Sequence, residues 1–390
     1  MAIKGFKAAA AAANMRYKDR FDLGLIACDR PAAWAGVFTL SGCPASPVTW
    51  SRDRMAQGTG RAILANAGQA NAQTGRQGDA DCRLSAEAVG RAVGCAPEDI
   101  LLASTGIIGQ RINMPALTAA VPGLADALRP EGLDDFARAI MTTDTFAKTA
   151  SGGFSLDGAR IDLWGCAKGS GMIAPNMATM LGFVLTDAQV APELLGEIVR
   201  EGADLSFNRV TVDGDTSTND CLLLMASGAS GAPAITSGEP LAQFKAAVFA
   251  VMKNLARQIA KDGEGATKLV TVRVRNAAGP EEAHKAARTV AESPLVKTAF
   301  FGCDANWGRI CMALGRSGAH FDQYAVDIDL DEVPWIRNGI DNGQEAAATE
   351  VMKKAEYRLD IDLKAGSAEC EMLTCDFSHE YVTINGSYRS

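Results

Sequence analysis

The segment Lys168-Gly-Ser-Gly-Met-Ile-Ala-Pro-Asn-Met-Ala-Thr179-Met-Leu-Gly-Phe-Val-Leu-Thr-Asp187 constrains this chain more than any other. Glycines and small residues dominate its first half, which reads as a loop. Met180 to Leu185 carry no charged or polar side chain and read as a buried strand. Thr179 stands at the join. Ala178 puts little bulk beside the peptide bond on the amino side of Thr179. A hydroxyl so placed can attack that bond, and the released threonine becomes a chain-terminal nucleophile whose own α-amino group can serve as base. The plainer reading of the same residues is a glycine-rich turn feeding a buried strand.

A chain of 390 residues is too long for one ordinary core and suggests two domains. The net charge of −8 argues against a nucleic-acid or anionic-membrane partner. Ten cysteines are scattered without a Cys-x-x-Cys pair, and three histidines are too few to restore zinc-ligand spacing, so no metal is expected. Most of the cysteines fall in apolar surroundings and read as reduced core residues, which fits a cytoplasmic protein. Lys4, Lys7 and the alanines from Ala8 to Ala13 resemble the start of a secretion signal. The apolar part is alanine only and Arg16, Lys18, Asp19 and Arg20 follow at once, so that reading is rejected.

Along the chain, strands are expected at Leu23 to Ala27, Ala35 to Leu40, Arg61 to Ala65 and Ile100 to Ala103. The last stops just before Ser104-Thr105-Gly106. Helical spacing marks Asp81 to Val93, Asp134 to Met141 and Pro192 to Asn208. In the helix from Pro240 to Lys261, Leu241, Phe244, Val248, Val251, Leu255 and Ile259 recur every three or four residues. Strand Lys268 to Val274 ends at Asn276-Ala-Ala-Gly-Pro280, and Glu281 to Glu292 is helical. Ala355 to Asp376 reads as a hairpin turning at Ala365-Gly-Ser367, with Tyr357, Leu359, Ile361 and Leu363 alternating. Strands mixed with helices predict a layered α/β protein.

Two binding motifs fail on inspection. Asp213-Gly-Asp-Thr-Ser-Thr-Asn-Asp220 lacks the glycine at the sixth position and the glutamate at the twelfth that a calcium loop needs; Thr218 and Leu224 stand there. Gly263-Glu-Gly-Ala-Thr-Lys268 is too short for a phosphate loop and has no hydroxyl residue after the lysine.

Taken together, several segments closely resemble the glutamate N-acetyltransferase (ornithine acetyltransferase) family of arginine biosynthesis. They are the run around Thr179, Cys28-Asp-Arg-Pro-Ala32, Ser104-Thr-Gly-Ile-Ile-Gly109, Met141-Thr-Thr-Asp-Thr145, Ser206-Phe-Asn-Arg209, Thr211-Val-Asp-Gly-Asp-Thr-Ser-Thr-Asn-Asp220, Asp262-Gly-Glu-Gly-Ala-Thr-Lys268, Asn306-Trp-Gly-Arg309 and Tyr381-Val-Thr-Ile-Asn385. They occur in the family's order over nearly the whole chain.

The resemblance implies an α/β/β/α-type sandwich with a smaller C-terminal α/β domain. Cleavage between Ala178 and Thr179 would leave residues 1–178 as an α chain, forming most of the sandwich. A β chain would begin with 179–279, completing the sandwich, then 280–375 as the smaller domain and 376–390 as a tail returning to the site. It implies that Thr179 takes the acetyl group of N-acetylornithine, releases ornithine, and passes the acetyl to glutamate to give N-acetylglutamate. Thr105 and Gly106 match the family's oxyanion hole. Thr142, Lys168, Glu264, Asn385 and Ser390 match substrate-contacting positions, although Thr143 and Thr145 compete with Thr142 for the inward direction. Lys168, between Ala167 and Gly169, has no bulky neighbour to shield it and could meet a substrate α-carboxylate. Glycines on both sides of Glu264 permit close backbone approach. No cofactor is implied, and acetyl-CoA stays open as a second donor. The two chains would assemble as an α2β2 heterotetramer. Departures from the family pattern are local: Ser390 where threonine is common, Ala67 and Gln69 in the Asn66 loop, and Gln73 where cysteine is common. A related aminopeptidase or amidase handing the acyl group to water, or a non-catalytic binding protein, are the rival readings.

Overall fold

The buried run after Thr179 becomes a central strand. The computed structural model describes residues 2–174 and 180–387, so Ala178, Thr179 and Ser390 lie outside the described residues. Two units divide the chain: one runs to Asn208 and resumes at Asp215–Ile259, the other comprises Arg209–Gly214 and the chain from Ala260 onward.

In chain order the first unit contains β1 (Phe6–Ala11), β2 (Leu23–Phe38), α1 (Ser46–Arg54), β3 (Thr59–Gln69), α2 (Gly75–Val93), β4 (Ile100–Ile107), α3 (Met114–Asp126), α4 (Leu133–Ala139), β5 (Lys148–Leu156), β6 (Ala159–Lys168), β7 (Leu181–Thr186) and α5 (Pro192–Asp204). After β8 (Val210–Thr211), which belongs to the second unit, come β9 (Cys221–Ala226) and α6 (Gly238–Lys261). The strands run β4-β3-β2-β9-β7-β6-β5, with β1 paired to β2.

β2 is where the sheet changes course. Residues Leu23 to Cys28 pair with β1, and Ala33 to Phe38 pair with β9. Its register against β3 shifts between Ala27 and Ala32, through Asp29-Arg30-Pro31. The two strands expected here are therefore one, because an irregularity lets a single strand carry the polar interruption and change partners. The alanine run, expected only not to be a signal, forms β1. Alanine is a poor strand former by itself, but pairing with β2 holds the run extended, and Gly132 lies close against it: a side chain at Gly132 would start 1.8 Å from the Ala8 carbonyl oxygen.

Side-chain alternation sorts the unit into layers. Ile26, Ile63 and Leu101 from one half of the sheet share a core with Trp164, Phe183 and Leu223 from the other. Phe136 of α4 meets Phe183 edge-on at 5.1 Å between ring centroids. On the far side of the first half, Leu25, Leu64 and Leu102 pack with Ala86 and Val89 of α2 and Leu117 and Val121 of α3. Beyond the second half lies α6, whose Val251 and Leu255 close over Gly165 of β6. Helix, sheet, sheet, helix is the order expected. The α6 positions spaced by three and four are the buried ones, from Phe244 to Ile259.

The second unit adds β10 (Leu269–Ala277), α7 (Pro280–Ala291), α8 (Pro294–Gly302), α9 (Trp307–Gly315), β11 (Asp327–Leu330), β12 (Val333–Arg337), β13 (Ile340–Asp341), α10 (Glu345–Met352), β14 (Glu356–Asp362), β15 (Ala368–Cys375) and α11 (His379–Ser387). Its strand order is β13-β12-β11-β14-β10-β15-β8. Two expectations are corrected here. The second unit takes in Arg209–Gly214 and the chain from Ala260, not only residues from 280, because β10 is a central strand of the second sheet. β14 and β15 do not form a hairpin: β10 lies between them, parallel to β14 and antiparallel to β15. The Ala365-Gly-Ser367 turn bridges over the end of β10, with the Ala365 and Gly366 N–H groups donating to the Asn276 carbonyl. The alternating Tyr357, Leu359, Ile361 and Leu363 do face the core, against α7, α8, α9 and α10.

Candidate active site

The start of β7 is flanked on both sides by chemistry-bearing strand ends. In the antiparallel pairing with β6, Leu181 stands opposite Lys168; in the parallel pairing with β9, it stands beside Cys221. Lys168 is therefore paired with Leu181, which comes two residues after Thr179 in sequence, and Asp220 comes one residue before the paired Cys221. Lys168 shares its face of β6 with Trp164 and Cys166, so alternation turns it toward the space between the two half-sheets. It is 8 % exposed. The small residues beside it do leave it unshielded locally, but the layers around it bury it.

Asp144 organises this lysine. Its carboxylate accepts hydrogen bonds from Lys148 Nζ at 2.6 Å, the Gly169 N–H at 2.8 Å and the Thr142 N–H at 3.0 Å. Burial alone would raise its pKa. The charges of Lys168 and Lys148 and the hydrogen bonds overcome that and hold it at about 2. Lys148 has no exposed surface. Of the three competing threonines, Thr142 and Thr143 are half-buried and Thr145 is exposed.

Asp220 behaves in the opposite way. It is fully enclosed, and burial pushes its carboxyl well above the usual carboxylate range despite nearby Lys168 and hydrogen bonds from Ser217 and the Met180 N–H. Among the described residues its Oδ2 has no hydrogen-bond partner. The Met180 N–H belongs to the peptide bond that follows Thr179, so this carboxyl reaches the segment carrying the candidate nucleophile.

Ser104-Thr105-Gly106 does not follow β4 but continues it. Ser104, Thr105 and Gly106 pair in parallel with Asn66, Ala67 and Gly68 of β3. The expected strand end rested on polar and glycine residues, and the tertiary pairing overrides their weak strand preference. Gly106 has φ of +124°, and a side chain there would start 2.3 Å from the Gly68 carbonyl carbon, so only glycine fits. Thr105 lies on the same face as Leu101 and Ala103, toward the interlayer space. Two asparagines fix this strand end. Asn66 Oδ1 accepts from Ser104 Oγ at 2.6 Å. Asn219 Nδ2 donates to the Ala70 carbonyl at 2.6 Å and to the Ser104 carbonyl at 2.9 Å. The segment Asn219-Asp220 thus touches the Thr105 strand end through one residue and the start of β7 through the next.

The structure brings Thr105, Gly106, Thr142 and Lys168 into this arrangement within the first unit. In the second unit it brings Glu264 and Asn385 together: Asn385 Nδ2 on α11 donates to Glu264 Oε2 at 2.8 Å. Glu264 is buried and Asn385 exposed. The close approach allowed by the flanking glycines is present, since a side chain at Gly265 would start 2.6 Å from the Tyr381 nitrogen of α11.

Sequence reading assigned no role to Asp144, Lys148, Asn66, Asn219 or Asp220. One signal was available. Asp144 and Lys148 are the only charged residues between Met141 and Leu156, and isolated opposite charges in such a stretch suggest a pair.

The sequence comparisons with known proteins agree over nearly the whole length. The ArgJ family model matches residues 7–390. A protein of Desulfotalea psychrophila named arginine biosynthesis bifunctional protein ArgJ is 47 % identical over 393 residues, covering 100 % of both chains. One of the same name from Symbiobacterium thermophilum is 48 % identical over 390 residues, covering 99 % of this chain and 97 % of that protein. A crystal structure of the arginine biosynthesis bifunctional protein from Bacillus halodurans superposes with a TM-score of 0.52 at 40 % identity, covering 54 % of this chain and 100 % of that one. With both its fold and its full-length sequence matched, this chain belongs to the ArgJ family.

Proposed function

We propose that this protein is an acetyltransferase of arginine biosynthesis that moves the acetyl group of N-acetylornithine to glutamate by a ping-pong route. The observation that carries the reading is the convergence of Lys168, Thr142 and the Thr105–Gly106 strand end, through Asp144 and Asn219-Asp220, around the start of β7. Thr179 comes two residues before that strand in sequence.

The chain first cuts itself between Ala178 and Thr179. The freed α-amino group has an ordinary pKa of about 7.7–8.0 and is partly neutral near neutral pH. It takes the Thr179 Oγ proton as Oγ attacks the acetyl carbonyl carbon. The oxyanion that forms is held by Thr105 and Gly106. The bond from the acetyl carbon to the ornithine α-nitrogen then breaks, and the α-ammonium returns its proton to that nitrogen. Ornithine leaves and an acetyl ester remains on Thr179. The glutamate amine attacks the ester, Thr179 Oγ is regenerated with its proton, and N-acetylglutamate departs.

Both donor and acceptor carry an α-carboxylate, and Lys168 with Thr142 receives it in each half-reaction. The resemblance implies Glu264, Asn385 and Ser390 as further substrate-contacting residues. The relatives are named bifunctional, which supports acetyl-CoA as a second donor. The two fragments form an α2β2 heterotetramer in the cytoplasm.

The test is an initial-rate study with purified protein. Parallel double-reciprocal lines for N-acetylornithine and glutamate are expected. Acetate release at one rate with or without glutamate would overturn the transferase reading in favour of an amidase.

A further inference from the structure

We propose that Asp144 is a positioning residue of the acetyl-transfer site, acting through Lys168 and Thr142; this rests on the function given above. Its single carboxylate joins two segments that are distant in sequence. The Thr142 N–H comes from the loop after α4, and the Gly169 N–H from the residue after Lys168. These two backbone bonds and Lys148 Nζ occupy three of the roughly four acceptor positions of a carboxylate. The group is a junction, and losing it releases both segments at once.

Lys148 explains why the junction holds. A fully buried ammonium is expensive unless paired, and this one lies 2.6 Å from Asp144 with no exposed surface on either side chain. It keeps Asp144 ionised in a place where burial would otherwise favour the neutral acid. A neutral acid would accept the two backbone N–H groups more weakly. The charge of Lys168 is the largest single influence acting to the same end. Lys168 and Asp144 are therefore coupled, and the position of the Lys168 ammonium depends on the Asp144 charge. A carboxylate that only stabilised the fold would have no reason to contact the backbone beside both segments offered to substrate.

The experiment is a double-mutant cycle on kinetics. Wild type, Asp144→Asn, Lys168→Met and the double variant are purified in processed form and checked for native near-ultraviolet dichroism. KM and kcat are measured for N-acetylornithine and for glutamate. Asp144→Asn is expected to raise KM for both substrates about tenfold, with kcat within about threefold of wild type. The double variant is expected to lose less than the product of the two single losses, because the lysine's share of what Asp144 positions is already gone while the Thr142 share remains. Additive losses would overturn the proposal, as would a fall in kcat at unchanged KM. Should Asp144→Asn not fold, Asp144→Glu takes its place in the cycle. It keeps the charge while displacing the carboxylate by one methylene, and an unchanged KM there would also overturn the proposal. The underlying function fails separately, if wild type moves no acetyl group to glutamate.

Discussion

Asn219 offers the sharpest test of how the Thr105 strand end is held. Its Nδ2 is shared between the Ala70 and Ser104 carbonyls, at 2.6 and 2.9 Å, and the residue is 6 % exposed. The Ser104 carbonyl is half of the peptide plane from which Thr105 departs. Asn219→Ala leaves two buried acceptors without this donor. Each such loss costs about 1–3 kcal/mol, and partial repair by water puts the pair at about 2–4 kcal/mol. The catalytic effect follows from geometry, since displacing an oxyanion donor by about 1 Å costs on the order of 10²-fold in rate. Stability should be measured by urea denaturation in a Thr179→Ala background, where the chain is expected to stay in one piece and unfold reversibly. Turnover should be measured in processed enzyme at saturating substrate. The expected result is a loss of about 2–4 kcal/mol together with a fall of about 10²-fold in kcat and little change in KM. A destabilised variant with wild-type kcat would refute the link from Asn219 to Thr105. Unchanged stability would refute the hydrogen bonds themselves.

Three further outcomes are expected. Intact-mass analysis of the expressed protein should find two fragments meeting between Ala178 and Thr179, and Thr179→Ala should give only the full-length chain. Thr105→Ala should lower kcat by roughly 10²–10³-fold in processed enzyme if its hydroxyl donates to the oxyanion; unchanged turnover would remove it from the mechanism. The two acids near Lys168 should shift stability in opposite senses, read as urea midpoints between pH 2 and 8 in the Thr179→Ala background. Asp144 is lowered from 3.8 to about 2, so it contributes about 2 kcal/mol above the unfolded value that is lost as pH falls through about 2. Asp220 is raised above 3.8, so its contribution is present below that value and is lost as pH rises through its folded pKa. Asp220→Asn should therefore be more stable than the parent at pH 8, with the difference closing toward pH 3.

Local physics made parts of this visible from residues alone. The unbroken apolar run from Met180 required burial, and it is a central strand. The spacing in α6 chose the buried face. The glycines around Glu264 announced a close approach, and α11 makes it. What escaped was decided by partners far away in sequence. Nothing near Ala365-Gly-Ser367 tells a hairpin from a bridge over a third strand, because β10 is some hundred residues earlier. The Ser104-Thr-Gly106 run reads as a strand ending until Asn66-Ala-Gly68 is placed beside it. Asp144 and Lys148, four apart, have the spacing of a pair on a helix, yet they flank the entrance to β5. Asn219 and Asp220 looked like part of a failed metal loop, and their work lies in hydrogen bonds to β4 and β7.

The partner exchange along β2 has a consequence for the order of events in the protein's life. Residues on either side of the proposed cut are woven into one hydrogen-bonded ladder, through β6 with β7 and through β2 with β9. The strand beginning at Leu23 cannot complete its pairing until Cys221 to Ala226 have left the ribosome, so assembly waits on late chain. Under the proposed cut, folding must precede scission, because the attacking hydroxyl has to be held against the bond it breaks. Once the bond is gone, the tether that brought the strands together is gone as well. The mature enzyme would then carry a memory of its precursor. Heating it past unfolding should separate two fragments that must find each other by diffusion, and activity should return poorly on cooling, whereas the uncut Thr179→Ala chain should retrace its path.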